Sequence, residues 1–161
     1  MKKVLLGIGV IALFFVVSSC GPQKYTAEHY SYETECLGVE MDGSQTLKVW
    51  GKGITRKDAV EQAKKEAVND VLFKGIRKGS SDCNLKPVIL ESNARENHEA
   101  YFNRFFADGG EYLNYVSGES KRLHKQKVKH RRKTGNKTYS IIVRVQRSEL
   151  RQKMLTDIIN K

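Results

Sequence analysis

Residues 46–53 of this chain are Thr46-Leu47-Lys48-Val49-Trp50-Gly51-Lys52-Gly53. Leu47 and Val49 alternate with larger or charged neighbours, and this period of two predicts a strand at about 46–52 with one buried face. Lys48, Trp50 and Lys52 then fall on the opposite face of the strand.

An alanine-rich helix is predicted directly after this strand. Thr55-Arg56-Lys57-Asp58 has the form of a capping box at a helix start. Apolar side chains then recur at helical spacing, and they are Ala59, Val60, Ala63, Ala67, Val71 and Leu72. Because most of these side chains are small, the helix can lie close against a sheet, and Gly75 and Gly79 supply stop signals.

The rest of the chain is predicted to contain two more helices and a β-hairpin. The second helix is predicted over residues 91–106, after a short strand or helix start at 87–90. A hairpin is predicted at 121–146 with its turn at Gly135-Asn136. Its second arm places Tyr139, Ile141, Val143 and Val145 on one face, and Ser148 is a candidate N-cap for a C-terminal helix with Leu150, Met154, Leu155 and Ile158 on its apolar stripe.

These elements predict an α+β fold. A small antiparallel sheet, made by the strand at about 46–52 and the basic hairpin at about 121–146, would be packed by the Ala-rich helix, the second helix and the C-terminal helix. We assign residues 46–161 to this single domain, since a chain of 161 residues accommodates one domain and a short extra segment. With 39% hydrophobic and 29% charged residues, the sequence is typical neither of a disordered chain nor of a multi-span membrane protein.

The first 20 residues are typical of a bacterial lipoprotein signal. Met1-Lys2-Lys3 is a basic start, and residues 4–17 are uncharged and largely apolar. These residues would make about 21 Å of helix, and they are fewer than the roughly 20 residues that a membrane span needs. Val17-Ser18-Ser19-Cys20 then resembles a lipobox, which implies removal of residues 1–19 and diacylation of the Cys20 sulfur. The alternative is an ordinary cleaved signal followed by a chance cysteine.

A lipidated Cys20 predicts where the protein is located. Two or three acyl chains hold a protein firmly on a bilayer, and Gly21 after the cysteine, by resemblance to known sorting signals, favours the outer membrane. Residues 20–45 are interpreted as a lipid-anchored tether to a domain that faces the periplasm.

Because the periplasm is oxidising, Cys36 and Cys83 are permitted to form a disulfide. The alternatives are two buried thiols, or a Cys36 that lies in a mobile tether. A bond between them would close a loop of about 48 residues and stabilise the fold by roughly 4 kcal/mol.

A run of basic residues on the first arm of the predicted hairpin is the strongest anomaly of the chain, whose net charge is +11. Its members are Lys121, Arg122, Lys125, Lys127, Lys129, Arg131, Arg132 and Lys133. One interpretation is a solvated strand edge protected against aggregation. The other is a surface for an anionic partner such as lipid headgroups, lipopolysaccharide, peptidoglycan or an acidic protein. Nucleic acid is disfavoured, because residues 121–133 contain no aromatic side chain for stacking on bases.

The sequence contains no recognisable motif for catalysis or for binding a metal or cofactor. Gly51-Lys52-Gly53 lacks the other residues of a phosphate-binding loop and is interpreted as a tight strand-to-helix turn. The four histidines, His29, His98, His124 and His130, lack the spacing of a metal site, and the cysteines have no catalytic signature. We therefore expect no enzymatic activity, no metal and no cofactor, and a hydrolase is the disfavoured alternative.

Several short segments carry a family resemblance. They are Val49-Trp50-Gly51-Lys52-Gly53, Asp58-Ala59, Ala63-Lys64-Lys65, Ala67-Val68 and the strand at 139–145 followed by Leu150. In this pattern the chain resembles, over residues 46–160, the N-terminal domain family of flagellar assembly protein T and related small envelope lipoproteins. The resemblance implies a compact α+β domain that works by binding within an envelope assembly.

Together these features predict an outer-membrane lipoprotein that is a non-enzymatic scaffold or accessory component of a secretion, conjugation or surface-assembly machine. Its partners would be the membrane, through the lipid, and a protein of that assembly. The alternative is a binder of lipopolysaccharide or peptidoglycan that acts through the basic hairpin.

Overall fold

The computed structural model describes residues 32–118 and 137–159, in which a five-stranded mixed sheet is packed by four helices in an α+β fold. The strands are β1 (Glu35–Val39), β2 (Gln45–Gly53), β3 (Lys78–Gly79), β4 (Val116–Gly118) and β5 (Lys137–Val145). The helices are α1 (Arg56–Asn69), α2 (Ala94–Asn97), α3 (Glu99–Phe105) and α4 (Arg147–Met154). The predicted fold class is confirmed.

The sheet has the strand order β3-β1-β2-β5-β4. Its centre is the antiparallel pair β2–β5, which is continuous from Gln45 opposite Val145 to Gly53 opposite Lys137. β1 is antiparallel to β2, and β4 is antiparallel to β5. The two-residue strand β3 adds a parallel pairing to β1, which the predicted antiparallel sheet did not include.

The predicted strand and the helix after it are confirmed. Leu47 and Val49 of β2 have no exposed surface. Thr55 caps α1, because its side chain accepts a hydrogen bond from the Asp58 backbone N–H at 3.2 Å while the Asp58 carboxylate accepts one from the Thr55 N–H at 3.0 Å. A Cβ added at Gly51 would overlap the Ala59 carbonyl oxygen, so this glycine lets α1 approach the sheet closely.

Two short helices replace the single helix predicted at 91–106. α2 ends at Asn97, because the φ of −118° and ψ of 35° of the next residue, His98, are not helical, and α3 begins directly after His98. Residues before Ala94 cannot extend α2, because Asn93 is in the left-handed conformation with a φ of 57°. The aromatic end of the predicted helix is retained in α3, where Phe102 and Phe105 are buried in the core.

Residues 87–90 form neither of the two predicted elements. The backbone N–H groups of Val88 and Ile89 donate to the carbonyl oxygens of Val71 and Leu72, at 3.0 and 2.9 Å. These carbonyls belong to the π-helical turn Asp70–Lys74 that ends α1, where helix carbonyls lack partners within the helix. The segment is therefore held by the end of α1 and not by a strand partner.

The domain starts earlier than the predicted residue 46. β1 lies inside the segment predicted to be a tether, and it pairs with β2 from Glu35 opposite Lys48 to Val39 opposite Gln45. Cys36 is the one residue of β1 that is buried. Because only one residue of β1 is buried, the strand has no period-two apolar signal by which it could be predicted.

The second arm of the predicted hairpin is confirmed as β5, in which Ile141, Val143 and Val145 are buried. The 3₁₀ helix Glu111–Tyr115 leads into β4, which pairs with the end of β5. The first arm at 121–133 and the predicted turn lie outside the described residues.

The C-terminal helix is confirmed, but its predicted cap is wrong. α4 begins at Arg147 with Gln146 as the cap residue, so Ser148 is already helical. The strand β5 runs to Val145, and the Gln146 N–H donates to the Tyr115 carbonyl oxygen at 2.9 Å, so the chain passes from strand to helix within one residue.

Within the described ranges, we find no helix with both the length and the apolar character needed to cross a membrane.

Candidate functional site on the outer face of the sheet

The face of the sheet opposite the core carries charged and aromatic side chains. Because Leu47 and Val49 are buried, alternation places the residues between and beyond them on the other face of β2. The pairing of β2 with β5 sets Thr46 opposite Arg144, Lys48 opposite Ile142 and Trp50 opposite Ser140. We call this surface the outer face.

Two lysines and two aromatic rings form a continuous row on the outer face. The row, named the Lys–aromatic row below, consists of Lys48, Trp50, Tyr32 and Lys52. The ring centroids of Tyr32 and Trp50 are 5.0 Å apart with their planes tilted by 49°. Lys48 Nζ lies 5.8 Å from the Trp50 ring centroid, and Lys52 Nζ lies 5.6 Å from that of Tyr32. Each cation–ring contact of this kind contributes about 0.5–1 kcal/mol at an exposed site.

The cations of the Lys–aromatic row are its accessible part. Lys52 is exposed, and the side chain of Lys48 is 40% exposed. Tyr32 and Trp50 are half-buried, and Ser140 opposite Trp50 is buried, so the centre of the outer face is partly covered. Lys48 Nζ is 3.7 Å from Glu35 Oε2, a long surface ion pair of the kind that contributes at most about 1 kcal/mol.

Arg144 is a third cation of the outer face, and it is committed to the β1–β2 turn. Its Nη2 donates to Asp42 Oδ2 at 2.7 Å and its Nε donates to Ser44 Oγ at 2.6 Å. Asp42 also accepts hydrogen bonds from the Ser44 hydroxyl and backbone N–H. These bonds from Ser44, reinforced by the Arg144 guanidinium, lower the pKa of Asp42 to about 2.

Cys36 and Cys83 form a disulfide, with their Cα atoms 6.3 Å apart. Both residues are buried. The bond joins β1, the strand next to the edge strand β3, to the loop that follows β3. Of the alternatives left open by the sequence, the structure contains the paired form.

The other predicted site residues lie outside the described residues. These are Cys20 of the lipobox and the eight cations of the basic run, Lys121, Arg122, Lys125, Lys127, Lys129, Arg131, Arg132 and Lys133. Arg147, which follows them in the chain, is half-buried, and its Nη2 donates to the Lys86 carbonyl oxygen at 2.7 Å. Burial, with a smaller contribution from Arg151, lowers the pKa of the Arg147 guanidinium.

A buried carboxylate links the start of β1 to the end of α1. Asp70 accepts a hydrogen bond from the Thr34 hydroxyl, and Lys74 Nζ lies 2.9 Å from Asp70 Oδ1. Burial raises the pKa of Asp70, although the hydrogen bonds from Thr34 and Lys74 oppose this rise. All three groups hold elements of the fold together.

A second polar cluster joins α3 to the C-terminal helix. The Tyr101 hydroxyl donates to Asp157 Oδ2 at 2.8 Å, and Lys153 Nζ lies 3.0 Å from Asp157 and 2.7 Å from Glu111. Burial and the hydrogen bond to Asp157 raise the pKa of Tyr101. Among the residues that the structure describes, neither this cluster nor any other group of histidine, cysteine and acidic side chains has the arrangement of a metal site.

Sequence reasoning placed three members of the Lys–aromatic row on one face and missed the fourth. Lys48, Trp50 and Lys52 follow from the alternation of β2. Tyr32 lies in the segment interpreted as a tether, where its sequence signal is no more than the presence of tyrosines in a polar segment.

We also compared the chain with known proteins. No family model, curated protein or solved structure matches it. The resemblance to the flagellar assembly protein T family therefore stays a prediction.

Proposed function

We propose that this chain is an outer-membrane lipoprotein whose α+β domain faces the periplasm as a non-enzymatic scaffold or accessory component of an envelope assembly. The disulfide between Cys36 and Cys83 is the observation that carries the proposal. Disulfides persist in oxidising compartments such as the bacterial periplasm and are rare in the cytosol. A buried disulfide therefore supports export of the domain, as does the predicted signal peptide of residues 1–19.

The binding role is supported by the way the described polar groups are used. Asp70 and Asp157 are engaged in hydrogen bonds that join separate elements of the fold. The Lys–aromatic row, in contrast, presents accessible cations beside two half-buried rings on one face. Such a surface is suited to recognising a partner.

Cell fractionation of the wild-type chain and of Cys20→Ala tests the anchor. The wild type is expected with the outer membrane, and Cys20→Ala is expected as an uncleaved or soluble species. Ser19→Ala is the matched control, because it keeps a small residue at its position in the lipobox and should fractionate like the wild type. Cys20→Ala that stays with outer membranes after a high-salt wash would contradict lipid anchoring and assign retention to a protein partner.

Affinity purification of the detergent-solubilised wild-type protein tests the scaffold role. Recovery of one stoichiometric protein complex is the expected result. Recovery of the chain alone, together with its retention on isolated cell wall, would overturn this role.

Binding of an anionic envelope ligand, either lipopolysaccharide or peptidoglycan, is a second candidate function. It is favoured by the charge of the basic run, since no acidic residue occurs between Ser120 and Ser148. Arg144, by comparison, already has a carboxylate partner in Asp42. Retention of the protein on purified lipopolysaccharide or peptidoglycan that is lost as salt is added would favour this function over the scaffold role.

A further inference from the structure

We propose that the Lys–aromatic row is a membrane-docking surface, which lies on the anionic phospholipid headgroups of the bilayer that holds Cys20. The inference rests on the proposed lipid anchor and adds an orientation to it. The outer face of the sheet would face the bilayer, and the helices, which pack on the core face, would face the periplasm.

The length of chain between the anchor and the row permits this orientation. Tyr32 is both a member of the row and the first described residue, and Cys20 precedes it by 12 residues. Twelve residues span at most about 43 Å when fully extended. Because any less extended conformation shortens this distance, connectivity keeps Tyr32 within reach of the bilayer surface.

The chemistry of the row matches that surface. Tryptophan and tyrosine are enriched at membrane interfaces, where an apolar ring with a polar tip suits the headgroup region. Lys48 and Lys52 lie at the two ends of the row, where their ammonium groups can pair with lipid phosphates. Ile54, which directly follows β2, is an apolar residue that is 75% exposed.

The contacts of Trp50 favour a membrane surface over a glycan. A sugar ring binds tryptophan by stacking on its face. In this structure Tyr32 packs against the Trp50 ring and Lys48 lies over it, so a sugar would compete with both side chains. Phosphate groups would instead approach the lysines, which are the accessible part of the row.

The intrinsic fluorescence of the protein gives a direct test, because Trp50 is its only tryptophan. The lipidated chain is reconstituted into vesicles of phosphatidylcholine alone, or of phosphatidylcholine with phosphatidylglycerol, and brominated lipids serve as quenchers. On the anionic vesicles we expect a blue shift of the Trp50 emission and quenching by the brominated lipids. On the neutral vesicles we expect little of either.

Paired lysine variants provide the matched comparison. Loss of one lysine near an anionic surface lowers membrane partition roughly fivefold. Lys48→Gln combined with Lys52→Gln should therefore lower the ratio of docked to undocked protein about 30-fold. Lys57→Gln combined with Arg151→Gln removes the same charge from exposed positions on α1 and α4 and should leave docking unchanged. Circular dichroism verifies that both double variants are folded.

Two results would overturn the docking proposal. One is a Trp50 emission that does not differ between neutral and anionic vesicles, or a blue shift on anionic vesicles that both double variants reduce equally. The other is a Trp50 response to soluble peptidoglycan fragments but not to vesicles, which would assign the row to a glycan.

Failure of the anchor would be recognised separately, since the wild-type chain would then not float with neutral vesicles, on which the row is not expected to dock. The Cys20→Ala chain mixed with the same anionic vesicles still tests the row in that case. A blue shift that Lys48→Gln with Lys52→Gln abolishes would support docking, and an unchanged Trp50 emission would overturn it.

Discussion

Gly51 is the residue at which a single added atom would disturb the packing of α1 on the sheet. Its Cβ would overlap the Ala59 carbonyl oxygen and would lie 2.9 Å from the Ala63 Cβ. Because backbone atoms of a buried helix cannot move aside cheaply, Gly51→Ala should destabilise the protein by about 1–3 kcal/mol in urea unfolding. Gly38→Ala is the control, since nothing in the described part of the chain lies within 4 Å of a Cβ there. Equal losses in the two variants would contradict this packing role.

Asp42 predicts how stability changes in acid. Hydrogen bonds from Ser44, followed by the interaction with Arg144, lower its pKa from 3.8 to about 2. A carboxyl with a depressed pKa in the folded state stabilises the fold at pH values above its unfolded pKa, and this contribution is lost as the pH falls from about 4 through 2. Asp42→Asn should therefore flatten the dependence of Tm on pH in this window. Ser44→Ala should have part of the same effect. A dependence of Tm on pH that runs parallel in Asp42→Asn and the wild type would contradict this contribution of Asp42.

At the scale of the element, the disulfide fixes β1 to the loop after β3. The Cα atoms of Cys36 and Cys83 are separated by 47 residues in sequence and 6.3 Å in space. Replacing both cysteines with alanine should cost about 2–4 kcal/mol of unfolding free energy. In a Cys20→Ala background, the non-reduced protein should also run faster on a gel than the reduced protein. Equal mobility, with two thiols titrated after denaturation, would show that the bond does not form.

The elements that could be predicted from the sequence are those whose signals are local. The period of β2, the capping box of α1 and the apolar stripe of α4 are each contained in about 15 residues. β1 and β3 could not be predicted in this way, because one has a single buried residue and the other has none. β3 pairs with β1, which lies about 40 residues earlier in the chain, and Cys36 of β1 is bonded to Cys83, 47 residues later.

The members of the candidate site also differ in whether a local sequence pattern predicts them. Alternation along β2 predicts that Lys48, Trp50 and Lys52 share a face. Tyr32 joins them through a ring contact with a residue 18 positions later in the chain, and no local pattern encodes such a contact. The placement of α2 likewise involves a distant residue, since Arg95 of α2 donates to Asn69 at the end of α1 at 2.9 Å.

For the whole molecule, the distribution of charge separates folding from binding. Several described cations are paired with carboxylates, as in Lys65 with Asp108, Lys153 with Glu111 and Arg144 with Asp42. The basic run, by contrast, contains no acidic residue, and none follows it before Glu149. Its charges are therefore expected to serve a partner more than the fold.

Reversal of Lys127, Lys129 and Arg131 to Glu tests this expectation. The Tm should change little, because exposed charges contribute only about 0–1 kcal/mol each. Binding to an acidic partner should weaken strongly, and binding of the wild type should fade as salt rises and shortens the screening length below about 8 Å. An unfolded triple variant would show that the arm is structural. A folded variant with unchanged partner recovery and localisation would favour a solvated edge.

A lipid at Cys20 is the claim on which the orientation and the envelope role both depend. Mass spectrometry of the N-terminal peptide, taken from protein extracted from the membrane fraction, measures it without a variant. We predict a peptide that begins at Cys20 and carries a diacylglycerol on the sulfur, with none beginning at Met1. An N-terminal peptide with an unmodified Cys20 thiol, or one cleaved at another position, would contradict the proposal.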